Sequence, residues 1–127
     1  VSGVQVLAED HGYECWRNLP AERDRLLTLL AQTRSAPLII LSGDRHMAAL
    51  YRKEVAGAPL YELTSSALNV ATNLRPQGFT PPQITPYFTE PNYGLLRVHW
   101  PTNTLRVLLY ASFGDLLYQH QLSLGDL

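Results

Sequence analysis

Cysteine is nearly absent from this 127-residue chain, with Cys15 standing alone. That excludes an internal disulfide and any zinc site built from several thiolates. It leaves the compartment open, because exported proteins also do without disulfides. A surplus of either charge is missing as well. Ten Lys and Arg against eleven Asp and Glu give a formal charge of −1, so no polyanion-binding surface is expected and nucleic acid is set aside as a partner. Long hydrophobic runs are lacking: the longest, Ala36 to Leu41, is far too short to span a bilayer, and no membrane partner is expected. The chain opens Val1-Ser2-Gly3, without Met and without a charged-then-apolar leader. It is therefore expected to be a piece of a longer polypeptide.

What is present suits a folded domain. Hydrophobic residues make up 46% and charged residues 17%, which is not the composition of a disordered chain. The length corresponds to one domain or less, and a chain of this size buries roughly two-thirds of its unfolded surface.

Val4, Val6 and Ala8 alternate and predict a short strand running into a polar loop. Pro20 and Glu22 suit a helix start, the first through its missing N–H and the second through the macrodipole. Leu26, Leu29, Leu30 and Thr33 follow at the spacing of one helical face, with the arginines expected mostly on the opposite side. The helix should stop near Ser35, because Pro37 disfavours helical dihedrals at Ala36. Leu38 to Leu41 reads as a strand buried on both faces and hence central in a sheet. Residues 47–58 fit either a short strand or a helical turn, ending in a turn at Gly57 and Pro59. Residues 60–65 alternate as a strand. A proline-rich stretch follows over 69–91, and a segment that long without secondary structure is expected to have a role, for example bordering a substrate cleft. The last third reads as a three-stranded antiparallel meander, with turns at Pro101-Thr102-Asn103 and Phe113-Gly114-Asp115. The inventory predicts an α/β or α+β domain with a sheet-on-sheet core and helices outside.

Chemistry concentrates at Ser42-Gly43-Asp44-Arg45-His46, just past the carboxyl end of the buried strand, where open α/β sheets place their ligands. Asp44 and His46 are both common metal-ligand types. Gly43 lets the backbone approach an ion or phosphate, and Arg45 is the arginine best placed to meet a phosphate or, failing that, a neighbouring loop. By itself the tetrapeptide reads more readily as an ordinary strand-to-loop turn, with Asp44 capping N–H groups and His46 half exposed. His99 and His120 read as strand residues, one on the surface and one at a partly buried edge. His11 reads as solvent-facing, and Cys15 beside Trp16 as a buried small hydrophobe. A Ser65 or Cys15 hydrolase lacks an adjacent base.

Four blocks in order resemble the PhoD-like alkaline phosphatases. Residues 15–27, CWRNLPAERDRLL, match that family's helix entry; residues 41–48, LSGDRHMA, match its L-S-G-D-x-H-x-A segment; residues 61–69, YELTSSALN, match its E-L-T-S-S strand; and residues 92–98, NYGLLRV, match its entry to the terminal strands. The family belongs to the calcineurin-like metallophosphoesterases. The resemblance implies a four-layer α/β/β/α sandwich with a two-metal phosphoesterase centre, His46 a metal ligand, and Asp44 a ligand or a group just behind one. A carboxylate at that position favours iron, calcium or manganese over zinc. Apart from Asp44-Arg45-His46, already taken by the L-S-G-D-x-H-x-A segment, no Asp-x-His occurs, and the superfamily's Gly-Asp-x-x-Asp and Asn-His-Asp/Glu motifs are missing; Gly114-Asp115-Leu116-Leu117-Tyr118 is the nearest approach to the former.

Residues 1–127 are therefore expected to be the C-terminal portion of such a domain. The substrate implied is a phosphate ester, and the partner is either the N-terminal part of the same domain or a second copy meeting exposed sheet surface. The family also suggests export to the bacterial periplasm. The competing expectation is a non-catalytic binding module on the same fold.

Overall fold

A computed structural model describes residues 1–9, 11–33, 38–73 and 81–127, the Asp126 side chain excepted. Over these residues the chain is α+β. It has one α-helix, α1 (Pro20–Thr33), and six strands: β1 (Ile39–Ser42), β2 (Ala48–Val55), β3 (Ala58–Ser65), β4 (Asn92–His99), β5 (Thr104–Ala111) and β6 (Leu116–Ser123). The strands form two three-stranded sheets. In the first, β3 lies between β1, which runs parallel to it, and β2, which is antiparallel. The second is the antiparallel meander β4-β5-β6 predicted from its alternation. No described helix is long and apolar enough to cross a membrane.

The period of two along each strand sorts the first sheet's side chains into two cores. Ile40, Ala49, Tyr51 and Leu60 point to one side, where Leu27 of α1 and the N-terminal residues Val6, Leu7 and Ala8 cover them. Ala48, Leu50, Tyr61 and Leu63 point to the other side, against Leu105, Val107, Leu109 and Leu122 of the second sheet. Helix and N-terminal segment, first sheet and second sheet thus make three layers. The sheets touch closely at Gly94, where an added Cβ would lie 3.1 Å from Leu63 Cδ2 and 3.3 Å from Ser65 Cβ.

Several local expectations are corrected. β1 is an edge strand and β3 is the central one. The apolar run at Leu38 to Leu41 reports that both faces are covered, not that both edges are paired. Residues 47–58, ambiguous by pattern, form β2 and a two-residue turn in which Ala56 and Gly57 both have positive φ, 51° and 80°, the signature of a type I′ hairpin. The Val4-Val6-Ala8 alternation forms no strand, although residues 5–8 are fully buried. In α1 the buried positions are Arg23 and Leu27, with Leu26 and Leu30 partly buried, while Leu29 is 54% exposed. The helix is turned toward Arg23 because that side chain binds the N-terminal backbone, as described below. Its predicted stop near Ser35 falls outside the described residues. Trp100 leaves the strand alternation for a short 3-10 turn and is 75% exposed. Residues 81–88 run along the outer edge of β2: Ala48 and Phe88 exchange backbone hydrogen bonds of 2.9 Å, and Thr85 Oγ1 accepts from Leu50 N–H at 3.0 Å. Residues 81–88 thus cover an edge whose backbone groups would otherwise be left unpaired.

The close contact at Gly94 predicts that Gly94→Ala, which leaves an ordinary strand backbone conformation intact, lowers unfolding free energy by about 1–3 kcal/mol through overpacking. Urea denaturation checks this; an unchanged midpoint would contradict the sheet-to-sheet approach described here.

Candidate functional site

The loop after β1 rests on a buried polar network that no apolar pattern announces. Glu62 of β3 is fully buried. Its Oε1 accepts from Val6 N–H at 2.9 Å and its Oε2 from Leu7 N–H at 2.6 Å. Arg23, reaching from α1, donates from Nε to Val6 O at 2.7 Å and from Nη2 to Leu7 O at 3.1 Å and Glu9 Oε1 at 2.9 Å. Gln5 donates to Tyr51 Oη and Thr64 Oγ1, each at 2.9 Å, and Thr64 Oγ1 lies 2.8 Å from Ser42 Oγ. Buried backbone groups must be paired. Here side chains take the place of a strand ladder, which is why residues 5–8 are buried without being a strand. Burial pushes the Glu62 carboxyl above the usual carboxylate range, opposed by the Ser42 hydroxyl, the Val6 and Leu7 N–H groups and Arg23. The Lys53 ammonium, with Arg23 behind it, holds the Glu9 carboxyl below its ordinary value against a partial desolvation.

Above this network the chain leaves β1 at Ser42 and passes through Gly43-Asp44-Arg45-His46 before entering β2. Ser2 N–H donates to Leu41 O at 2.9 Å, and the position a Cβ on Gly43 would take is 3.5 Å from Gly3 O, so the N-terminal segment flanks the loop on one side. On the other side Ser66 N–H donates to Met47 O at 3.2 Å and Thr72 N–H to His46 O at 2.8 Å. Asp44 and His46, one residue apart, both adopt positive φ, 72° and 52°. Left-handed backbone at a non-glycine residue is uncommon, although Asp and His tolerate it better than most residues, and it costs free energy that the surroundings must offset. Both side chains are exposed. Arg45 between them is half-buried: its guanidinium lies 4.2 Å from the centroid of the Tyr13 ring, and its buried Nε has no hydrogen-bond partner. Arg45 therefore contacts a neighbouring loop, one of the two roles expected for it.

Asp44 and His46 are of the right type to ligate a metal and too few to complete a site. Among the described residues no group of three or more His, Cys, Asp or Glu side chains could hold an ion. Cys15 is buried, as expected. Ser65 Oγ donates to Asn92 Oδ1 at 2.9 Å, a structural bond between the sheets. His99 is exposed and His120 half-buried on edge strand β6, both as read from their patterns. His11 departs from expectation: it is half-buried, with Nε2 2.8 Å from Gln5 Oε1. Arg23 and Glu62 were the residues missed. Glu62 lies between Leu60 and Thr64 on one buried face of β3, and its place in that alternation was the available signal.

Two predictions follow from this geometry. Glu62→Gln, which keeps one acceptor oxygen for two N–H groups, lowers stability by about 1–3 kcal/mol. Because the folded-state pKa of Glu62 lies above its ordinary 4.5, the titration contributes fully at and below that pH and is lost as pH rises through the folded value. The stability gap between wild type and Glu62→Gln therefore narrows from about pH 4 to pH 7 in urea denaturation; a widening gap would contradict the burial argument. His46→Gly, which relieves a left-handed non-glycine residue, raises stability by about 0.5–1 kcal/mol despite the added chain entropy of glycine. A loss of 1 kcal/mol or so in thermal denaturation would show that the His46 side chain supports the fold.

No family model matches this chain, and no curated protein or solved structure matches it significantly.

Proposed function

We propose that this chain is the carboxyl-terminal part of a PhoD-like, calcineurin-type phosphoester hydrolase domain, in which His46 and Asp44 lend ligands to a two-metal centre completed by donors outside the described residues. The observation that carries the proposal is the Asp44–His46 loop. Two metal-ligand side chains stand exposed at the carboxyl end of a parallel strand, without hydrogen-bond or ion-pair partners among the described residues, on backbone in a costly conformation. Glycine, asparagine and aspartate are the ordinary residues at such positions; a second left-handed residue at His46 adds strain, and strain of this kind gathers at functional sites. A carboxylate beside an imidazole suits iron or manganese, and calcium, more than it suits zinc. Such ions, when bound, clamp a phosphate ester and acidify a water. A helix layer followed by two sheets is compatible with the α/β/β part of such a sandwich. The apolar half of the second sheet's outer face, Tyr93, Leu95, Leu108 and Tyr110, is where a fourth layer would pack. Arg45, parked on Tyr13, orients the loop rather than reaching for substrate.

The test is Mn²⁺ binding followed by electron paramagnetic resonance on the 127-residue chain. The account expects saturable, weak binding that His46→Gly abolishes and Asp44→Asn weakens by about tenfold or more. Because the donor set is incomplete, the same chain should not hydrolyse p-nitrophenyl phosphate at an enzymatic rate, on the order of 1 s⁻¹ or faster. Mn²⁺ binding unchanged in His46→Gly, or none at all, overturns the proposal and favours a non-catalytic binding module.

A further inference from the structure

The outer face of the second sheet is divided. Along the strands, Tyr93 faces Tyr110 and Leu95 faces Leu108, then Arg97 faces Arg106 and His99 faces Thr104, with Gln121 of β6 opposite Arg106 on its other side. One half is apolar and the other cationic. Like charges directly opposite on neighbouring strands destabilise a sheet, so an Arg–Arg pair needs a reason. Ordinary neutralisation does not supply one: neither arginine has a carboxylate partner among the described residues, although Glu9, Glu22 and Glu54 all pair with cations elsewhere.

Around the pair the surface forms a concavity of about 350 Å³ lined by Arg97, His99, Thr102, Thr104, Arg106 and Gln121. Its polar groups are already ordered. His99 Nδ1 lies 2.7 Å from Thr102 Oγ1, Thr102 Oγ1 lies 3.0 Å from Thr104 Oγ1, and Arg106 Nε donates to Gln121 Oε1 at 3.3 Å. Thr102 reaches this place because the β4–β5 connection is a 3-10 turn closed by Asn103 at φ 52°, which folds the hydroxyl back beside the strand ends.

We propose that this hollow binds a doubly charged tetrahedral oxyanion, free phosphate or sulfate or the phosphoryl group of a monoester. Two guanidiniums from adjacent strands offer forked donors to an ion of matching charge. The hydroxyl and imidazole groups that line the same hollow add further polar partners, more than a flat carboxylate can use. The site lies on the meander's outer face, away from the Asp44–His46 loop, and stands whether or not that loop holds metal.

Calorimetric titration of the full chain with inorganic phosphate, sulfate and phenyl phosphate, at ionic strength held constant with sodium chloride, tests it. Saturable binding of phosphate is expected, weakened about tenfold or more by Arg97→Gln and by Arg106→Gln, and unaffected by Arg45→Gln. Equal binding of phenyl phosphate assigns the site to phosphoryl groups, and its failure assigns the site to the free ion. Without anion, each Arg97 or Arg106 variant should melt no lower than wild type, since a repulsion is removed, whereas a purely structural pair would melt lower. No binding beyond the chloride control, or binding that survives both substitutions and disappears in Arg45→Gln, overturns the proposal.

Discussion

A single buried carboxylate organises one side of this molecule. Glu62 grips two successive backbone N–H groups, Val6 and Leu7, while Arg23 takes the carbonyls of the same two residues. An ionisable group in a core is costly unless its oxygens are satisfied, and removing one partner leaves the others unpaired. The N-terminal segment, α1 and the first sheet are therefore coupled by hydrogen bonds rather than by packing alone. That coupling also explains the helix orientation, because Arg23 can reach the segment only if its face of α1 turns inward.

The clamp matters to function through what it supports. With residues 5–8 held down, Gly3 and Tyr13 lie against the loop that follows β1, and Arg45 is stacked away. The remaining two side chains of the loop, Asp44 and His46, face outward on left-handed backbone. A rigid scaffold carrying an exposed, chemically competent loop is how binding groups are usually displayed. The second sheet is coupled to the first through the Leu50, Leu63, Val107 and Leu109 core and through the Ser65–Asn92 hydrogen bond, which leaves its other face available for separate use.

Much of this architecture was legible in the sequence, for reasons that differ by element. The meander was read correctly because each of its strands alternates and each connection carries turn chemistry. α1 was read from Pro20 and its leucines, but its rotation was not, since Leu29 fits an apolar stripe as well as Leu27 does and only the Arg23 contact separates them. β1 was placed at the centre of its sheet because an apolar run reports covered faces and is silent about edges. The Val4–Ala8 alternation satisfied the strand pattern while its backbone partners were side chains distant in sequence, which no local period encodes. The Asp44–His46 loop is legible from its residue types and from its place just past the carboxyl end of an apolar strand. The left-handed backbone at both residues is not legible, because Asp and His tolerate that conformation without requiring it as a turn glycine does.

The Glu62 clamp is open to a direct test by native-state hydrogen exchange. The account predicts that the Val6 and Leu7 amides exchange only on global unfolding, at the same free energy as Leu63 in the centre of β3, although neither residue belongs to a strand. Exchange of these two amides through a low-energy local opening, as in the exposed β4–β5 connection, would mean that the carboxylate does not hold the segment and would contradict the account.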